Sequence, residues 1–118
     1  MHVTWLGQGG FVFERDGRRL AVDPYLSNSL DGKGFTRLFP PPVSPEALSA
    51  DYLVSTHDHG DHFDPDTVVA GAKVDPEMEV LGPISVVNHG RDLDLNVTLL
   101  EVGAKAVTRG PFSIAAVP

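Results

Sequence analysis

The chain is most constrained between residues 51 and 67, where an apolar run, a histidine and aspartate cluster, and a helix start follow one another without a gap. Asp51-Tyr52-Leu53-Val54-Ser55 is a short apolar run of the kind that forms a buried strand. Thr56-His57-Asp58-His59-Gly60-Asp61-His62 then gathers three of the five histidines and two aspartates into six consecutive positions. Asp64-Pro65-Asp66-Thr67 reads as a helix start, with Asp64 able to cap, Pro65 at the first helical position and Asp66 in the first turn. Strand, loop and helix in that order predict an α/β fold. They put the cluster beyond the carboxyl end of a strand, where open α/β sheets gather their ligands.

Imidazole nitrogens and carboxylate oxygens are the usual ligands of divalent transition ions. In an extended segment His57 and His59 point to the same side and can reach one ion, while Asp61 and His62 at the turn can reach a second. Two ions in one site can bridge a water, lower its pKa towards neutrality and clamp the oxygens of a carbonyl or phosphoryl group. The alternative is a solvated loop of neighbouring histidines and aspartates, against which the density of the cluster argues. The sequence has no cysteine, so disulfides and thiolate ligands are excluded and a metal site must use nitrogen and oxygen. Zinc, manganese and iron all suit such donors.

His57-x-His59-x-Asp61-His62 after an apolar strand resembles the metal motif of the metallo-β-lactamase superfamily. Three further stretches, Thr4-Trp5-Leu6-Gly7-Gln8-Gly9-Gly10-Phe11, Ala21-Val22-Asp23-Pro24-Tyr25-Leu26 and Pro40-Pro41-Pro42, are similar to the branch containing L-ascorbate-6-phosphate lactonase. The resemblance covers the whole chain. It implies an αβ/βα sandwich, of which residues 1–118 would be the N-terminal αβ half, a mixed sheet with helices on one face and no separate second domain. It implies a hydrolase that uses a metal-bound hydroxide on an ester, lactone or phosphoester. Two ions, zinc or manganese, are expected in the complete site, one on His57 and His59 and the other on Asp61 and His62. Asp61 and Asp58 are the candidate catalytic carboxylates, although Asp58 is a non-ligand in the motif and a solvated role is open to it.

Members of that family are longer and add a histidine, a metal-bridging aspartate and a final histidine downstream, none of which is present here. The apolar run at residues 112–117 leads in the family into the next histidine. A truncation, or a protein divided over two polypeptides, is therefore expected, with each ion under-coordinated, metal bound weakly and turnover slow. The rival reading is a non-catalytic subunit or binding module. It would dock on a partner, a second polypeptide or another copy in a homo-oligomer, and would expose an apolar sheet face as a monomer.

A hydrophobic content of 42% in 118 residues is enough for the core of one domain. The formal charge of −7, with no cluster of Lys or Arg, argues against a nucleic-acid binder and leaves a small-molecule substrate. Five aspartates and no Lys or Arg lie between Asp51 and Asp66, a charge that bound cations would offset. No basic region followed by an apolar segment opens the chain, and no run approaches the roughly 20 apolar residues that cross a bilayer. The sequence thus reads as soluble and cytoplasmic.

Strands are predicted at residues 2–6, 10–14 and 19–23, the first two joined by a glycine turn beside the site and the next pair by Asp16-Gly17, the strongest short hairpin signal. Asp23 closes the third strand ahead of Pro24, which favours an extended backbone before it. It either caps the turn or orients a histidine ligand from behind, and the resemblance favours the latter. Residues 27–45 form a long irregular stretch. Within it Arg37, among aromatics, is the candidate for holding an anionic substrate, against the plainer reading of a solvated arginine. Helices are expected from Pro65 to about residue 72 and over residues 83–90, the latter with Gly90 as a left-handed cap. Strands follow at 79–82, 97–100, 105–108 and 112–117. His2 and His89 are assigned structural roles, and Trp5 is expected to pack under the sheet.

Overall fold

Alternating apolar side chains and two tight turns fold the first 22 residues into a meander of β1 (His2–Gly7), β2 (Gly10–Arg15) and β3 (Arg18–Val22). The β2–β3 turn is the one its Asp-Gly pair predicts, with Asp16 at φ +51° and Gly17 at +74°, as a two-residue hairpin of matching twist requires. The computed structural model describes all residues, 1–118. After a long connection carrying two short 3-10 turns, Asp31–Lys33 and Pro45–Ala47, the chain returns as β4 (Tyr52–Val54) parallel to β3. Then follow α1 (Pro65–Val74), β5 (Glu79–Gly82), α2 (Ile84–Asp92) and β6 (Val97–Leu99), two crossovers that extend the sheet in parallel. The six strands lie in chain order, antiparallel at one end and parallel at the other. A separate hairpin of β7 (Val107–Arg109) and β8 (Phe112–Ile114) completes the molecule.

One face of the sheet carries the core. Val12, Ala21, Leu53 and Val80 form a row across four neighbouring strands, each directly paired with the next. Val68 of α1 and Val86 of α2 pack into the same cluster, so both helices cover that face. Leu53 is completely buried, which is worth about 2 kcal/mol for a leucine side chain. The opposite face presents Val3, Trp5, Phe11, Phe13, Val22 and Val54, and Trp5 remains 54% exposed. Trp5 therefore does not pack under the sheet. Its position in β1 aims it at the face away from the helices, where its ring edge meets Phe39 and its Nε1–H donates to the Gln8 carbonyl.

Two other expectations shift. α2 runs through Gly90 to Asp92, and Asp94, at φ +56°, takes the left-handed position after it. Gly90 is instead buried against β6, where a methyl group would come within 2.5 Å of Val97 Cγ1. The last hairpin begins at Val107, two residues later than expected, because Gly110 and Pro111 fix the turn and Arg109 pairs with Phe112 across it. His89 packs its ring on Phe63 with centroids 4.8 Å apart. No helix is long and apolar enough to cross a membrane.

Candidate metal centre

Val22 pairs with Val54, so the parallel strands β3 and β4 end together and deliver Asp23 and Thr56 to the same place. The Asp23 N–H donates to the Val54 carbonyl at 2.9 Å. Its side chain is 4% exposed and accepts three bonds: from the Thr56 N–H at 2.7 Å, the Thr56 hydroxyl at 2.7 Å and His62 Nδ1 at 2.9 Å. Asp23 stands at φ +45°, which corrects the extended backbone expected ahead of Pro24. An aspartate tolerates this left-handed region better than most residues. The cost, of order 1–3 kcal/mol, is offset by hydrogen bonds to a charged group worth about 1.5–3 kcal/mol each.

The hydroxyl of Thr56 has one proton, and that fixes its neighbours. The carboxylate is the stronger acceptor, so Thr56 Oγ1 donates to Asp23 Oδ2 and keeps its lone pairs for His57 Nδ1–H, 2.9 Å away. Asp23 takes the Nδ1–H of His62 directly. One carboxylate thereby sets the tautomer of two imidazoles and leaves the Nε2 lone pair of each free for a ligand role.

The remaining motif residues close around these two. The His57 ring lies 4.0 Å from that of His62 and 4.6 Å from that of His59, between centroids. Asp61 Oδ2 is 3.5 Å from His62 Nε2. The loop is held tight by its backbone, with the N–H groups of His62 and Phe63 both donating to the His59 carbonyl at 2.9 and 2.7 Å. Ser55, fully buried, adds a hydroxyl bond to the His62 carbonyl at 3.1 Å. The β1–β2 turn lies beside the site as expected, since a methyl group on Gly9 would sit 3.5 Å from His62 Cε1.

In kind, these donors suit a divalent ion. In number they do not surround one, because no three His, Asp or Glu side chains of the chain are arranged to hold an ion together. The pairing of His57 with His59 and of Asp61 with His62 asks for two donors at each position and needs others besides.

Asp58 is exposed and stands outside the network. Arg37 is not drawn into it either: its Nε donates to the Ser27 carbonyl at 3.0 Å, its Nη2 to the Tyr25 carbonyl, and its guanidinium lies 4.3 Å from the centre of the Tyr25 ring. Two of its nitrogens are thus taken by the loop itself, leaving Nη1 to meet any anion. Thr56 and Ser55 are absent from the sequence-based candidates, although a hydroxyl directly before the first histidine is a signal that could have found Thr56. A cleft of about 240 Å³ opens beside Thr56, walled by Val54, Gly82, Pro83, Leu100, Val102 and the end of the chain.

A mixed sheet whose parallel strand ends in a His-x-His-x-Asp-His loop defines the class, and the chain belongs to the beta-lactamase superfamily domain family, whose sequence model matches residues 2–117. Among its relatives is a metal-dependent hydrolase from Methanopyrus kandleri, 29% identical over 110 residues, which cover 93% of this chain and 43% of the relative. An N-acyl-phosphatidylethanolamine-hydrolyzing phospholipase D from Caenorhabditis elegans is 28% identical over 110 residues, 86% of this chain and 31% of that protein. In structure the chain resembles Igni18, a metallo hydrolase from Ignicoccus hospitalis, with a TM-score of 0.73 at 19% identity over 98% of this chain and 47% of the other. The chain spans less than half the length of the relatives it matches.

Proposed function

We propose that residues 1–118 are the N-terminal αβ half of a metal-dependent hydrolase and contribute two pairs of ligands, His57 with His59 and Asp61 with His62, to a two-ion site. The observation that carries this reading is the Asp23 carboxylate, which orients His62 directly and His57 through Thr56 so that both present a bare Nε2. Divalent ions in such a site supply a nucleophile from water near neutral pH and withdraw charge from the oxygen of a carbonyl or phosphoryl group. The chain's own contribution is positional. Asp23 and Thr56 hold the rings, the His59 carbonyl fixes the loop turn, and the apolar cleft beside Thr56 gives a substrate dry surface next to the ligands. Its substrates would be esters, lactones such as an ascorbate phosphate lactone, or phosphoesters, with Arg37 Nη1 as a contact for an anionic group.

The exposed face of the sheet, with Trp5 at 54% and Val3 at 51%, favours a second reading in which this half docks on a partner polypeptide or another copy that completes the sandwich without catalysis of its own. Calorimetric titration with Zn2+ and with Mn2+ separates the two. The hydrolase reading expects weak binding by this chain that disappears in His57→Ala and in His62→Ala and strengthens when the remainder of the fold is supplied. Binding unchanged by both substitutions would sink the ligand assignment, and tight binding by the chain alone would sink the division of the site.

A further inference from the structure

Two residues past the last motif histidine lies Asp64, whose burial is complete. It caps α1 by accepting from the Asp66 N–H at 3.3 Å, but a cap leaves most of a carboxylate's capacity unused. Three hydroxyls take up the rest: Ser27 at 2.6 Å, Ser29 at 2.8 Å and Thr67 at 2.5 Å. Each of these donates its proton to the carboxylate, and two use their lone pairs on backbone, Ser27 on the Ser29 N–H at 3.1 Å and Thr67 on the Leu26 N–H at 3.0 Å. Asp64 therefore grips residues 26–29 at three points, Ser27 and Ser29 directly and Leu26 through Thr67. Arg37 grips the other side of the same segment through the Ser27 and Tyr25 carbonyls. The Tyr25 hydroxyl accepts from the Leu30 N–H at 3.2 Å and leads the segment on to Leu30.

Leu30 lies against the metal loop. Its Cδ2 would stand 2.8 Å from a methyl group on Gly60, the residue between His59 and Asp61, so the side chain packs on bare backbone at the centre of the motif. We propose that Asp64 is a positioning residue for the metal loop: by clamping residues 26–29 it seats Leu30 on Gly60 and so sets the spacing between the two ligand pairs. This rests on the two-ion reading given above and adds to it a residue that touches neither ion nor substrate.

Asp64→Asn separates the clamp from the cap. Asparagine is as good an N-cap as aspartate, so α1 keeps its start with the amide oxygen on the Asp66 N–H, but the amide nitrogen then faces the Ser27 and Thr67 hydroxyls, which lose their acceptor. Ser27→Ala with Ser29→Ala removes the same grip from the other side. Thr98→Ala, which loses a hydroxyl bond to Glu79 at 2.6 Å far from the loop, controls for general loss of stability. In the ion-free chain, the nuclear Overhauser contact between the Leu30 methyls and the Gly60 α-protons should vanish in Asp64→Asn and in the double serine variant and persist in Thr98→Ala. Affinity for Zn2+ should fall about tenfold or more in the first two and stay unchanged in the third. Persistence of the contact in Asp64→Asn, or its loss with Zn2+ affinity unaltered, would overturn the proposal. A wild-type chain with the contact intact and no uptake of Zn2+ or Mn2+ would count against the two-ion reading, and the clamp would then stand or fall on the proton contact.

Discussion

Asp23 is surrounded by donors only. Every group that reaches its side chain, the Thr56 N–H, the Thr56 hydroxyl and the His62 Nδ1–H, gives a proton to it. Asparagine in its place has one accepting oxygen and must turn an NH2 group towards at least one of these donors. Asp23→Asn should therefore free His62 to exchange tautomers, visible in nitrogen-15 spectra of the ion-free chain, and weaken Zn2+ or Mn2+ binding by about 10- to 100-fold. A His62 that keeps one tautomer in the variant would show that other contacts orient it. At this scale the motif residues are readable from spacing, because neighbours in sequence remain neighbours in the loop. The relay through Thr56 is not, since it needs positions 33 apart to meet. Arg37 escapes sequence reasoning for a related reason: whether its donors face a substrate depends on where the carbonyls of its own loop lie.

At the scale of elements, α2 shows what local pattern reading misses. Gly90 looks like a stop signal because glycine is the usual residue past a helix end. Here it is a contact surface, letting the helix approach β6 until Val97 fills the space a methyl would need. Gly90→Ala gains about 1 kcal/mol of helix propensity but overpacks a core contact, which costs about 1–3 kcal/mol, so the variant should be less stable. In a Val97→Ala background the same substitution should become neutral or stabilising. Chemical denaturation of the four chains tests this, and equal effects of Gly90→Ala in both backgrounds would show that the clash is not the cause. The meander, the parallel strands and the start of α1 follow from signals that act over a few residues: the Asp-Gly turn, short apolar runs and a capping aspartate. The side of the sheet that stays open does not, because alternation says which residues share a face and not which face the helices take. Trp5 is the residue that this leaves exposed.

Across the whole molecule, the β7–β8 hairpin is pinned to the open face by Phe112 against Tyr52 and by Arg109, which reaches both carboxylate oxygens of Glu79 at 2.5 and 2.8 Å. The Arg109 hydrogen bonds hold the Glu79 carboxyl below its ordinary value of 4.5, against its partial burial and with help from the Thr98 hydroxyl. A carboxyl lowered on folding stabilises the fold above its unfolded pKa and ceases to as pH falls through the folded one. Arg109→Ala should thus cost about 2 kcal/mol at pH 7 and progressively less below about pH 4.5. Melting both chains across that range checks it, and a gap that does not narrow in acid would rule the pair out as its source. The parallel join of β3 to β4 also has a consequence in time. The first 22 residues zip by contacts between near neighbours, whereas Asp23 meets Thr56 and His62 only across 33 and 39 residues. Closing so long a loop costs more chain entropy than the tight turns of the meander, so the site is expected to assemble after it. The meander can form before the histidines are in place, so the imidazoles acquire their fixed proton positions late, once β4 has docked.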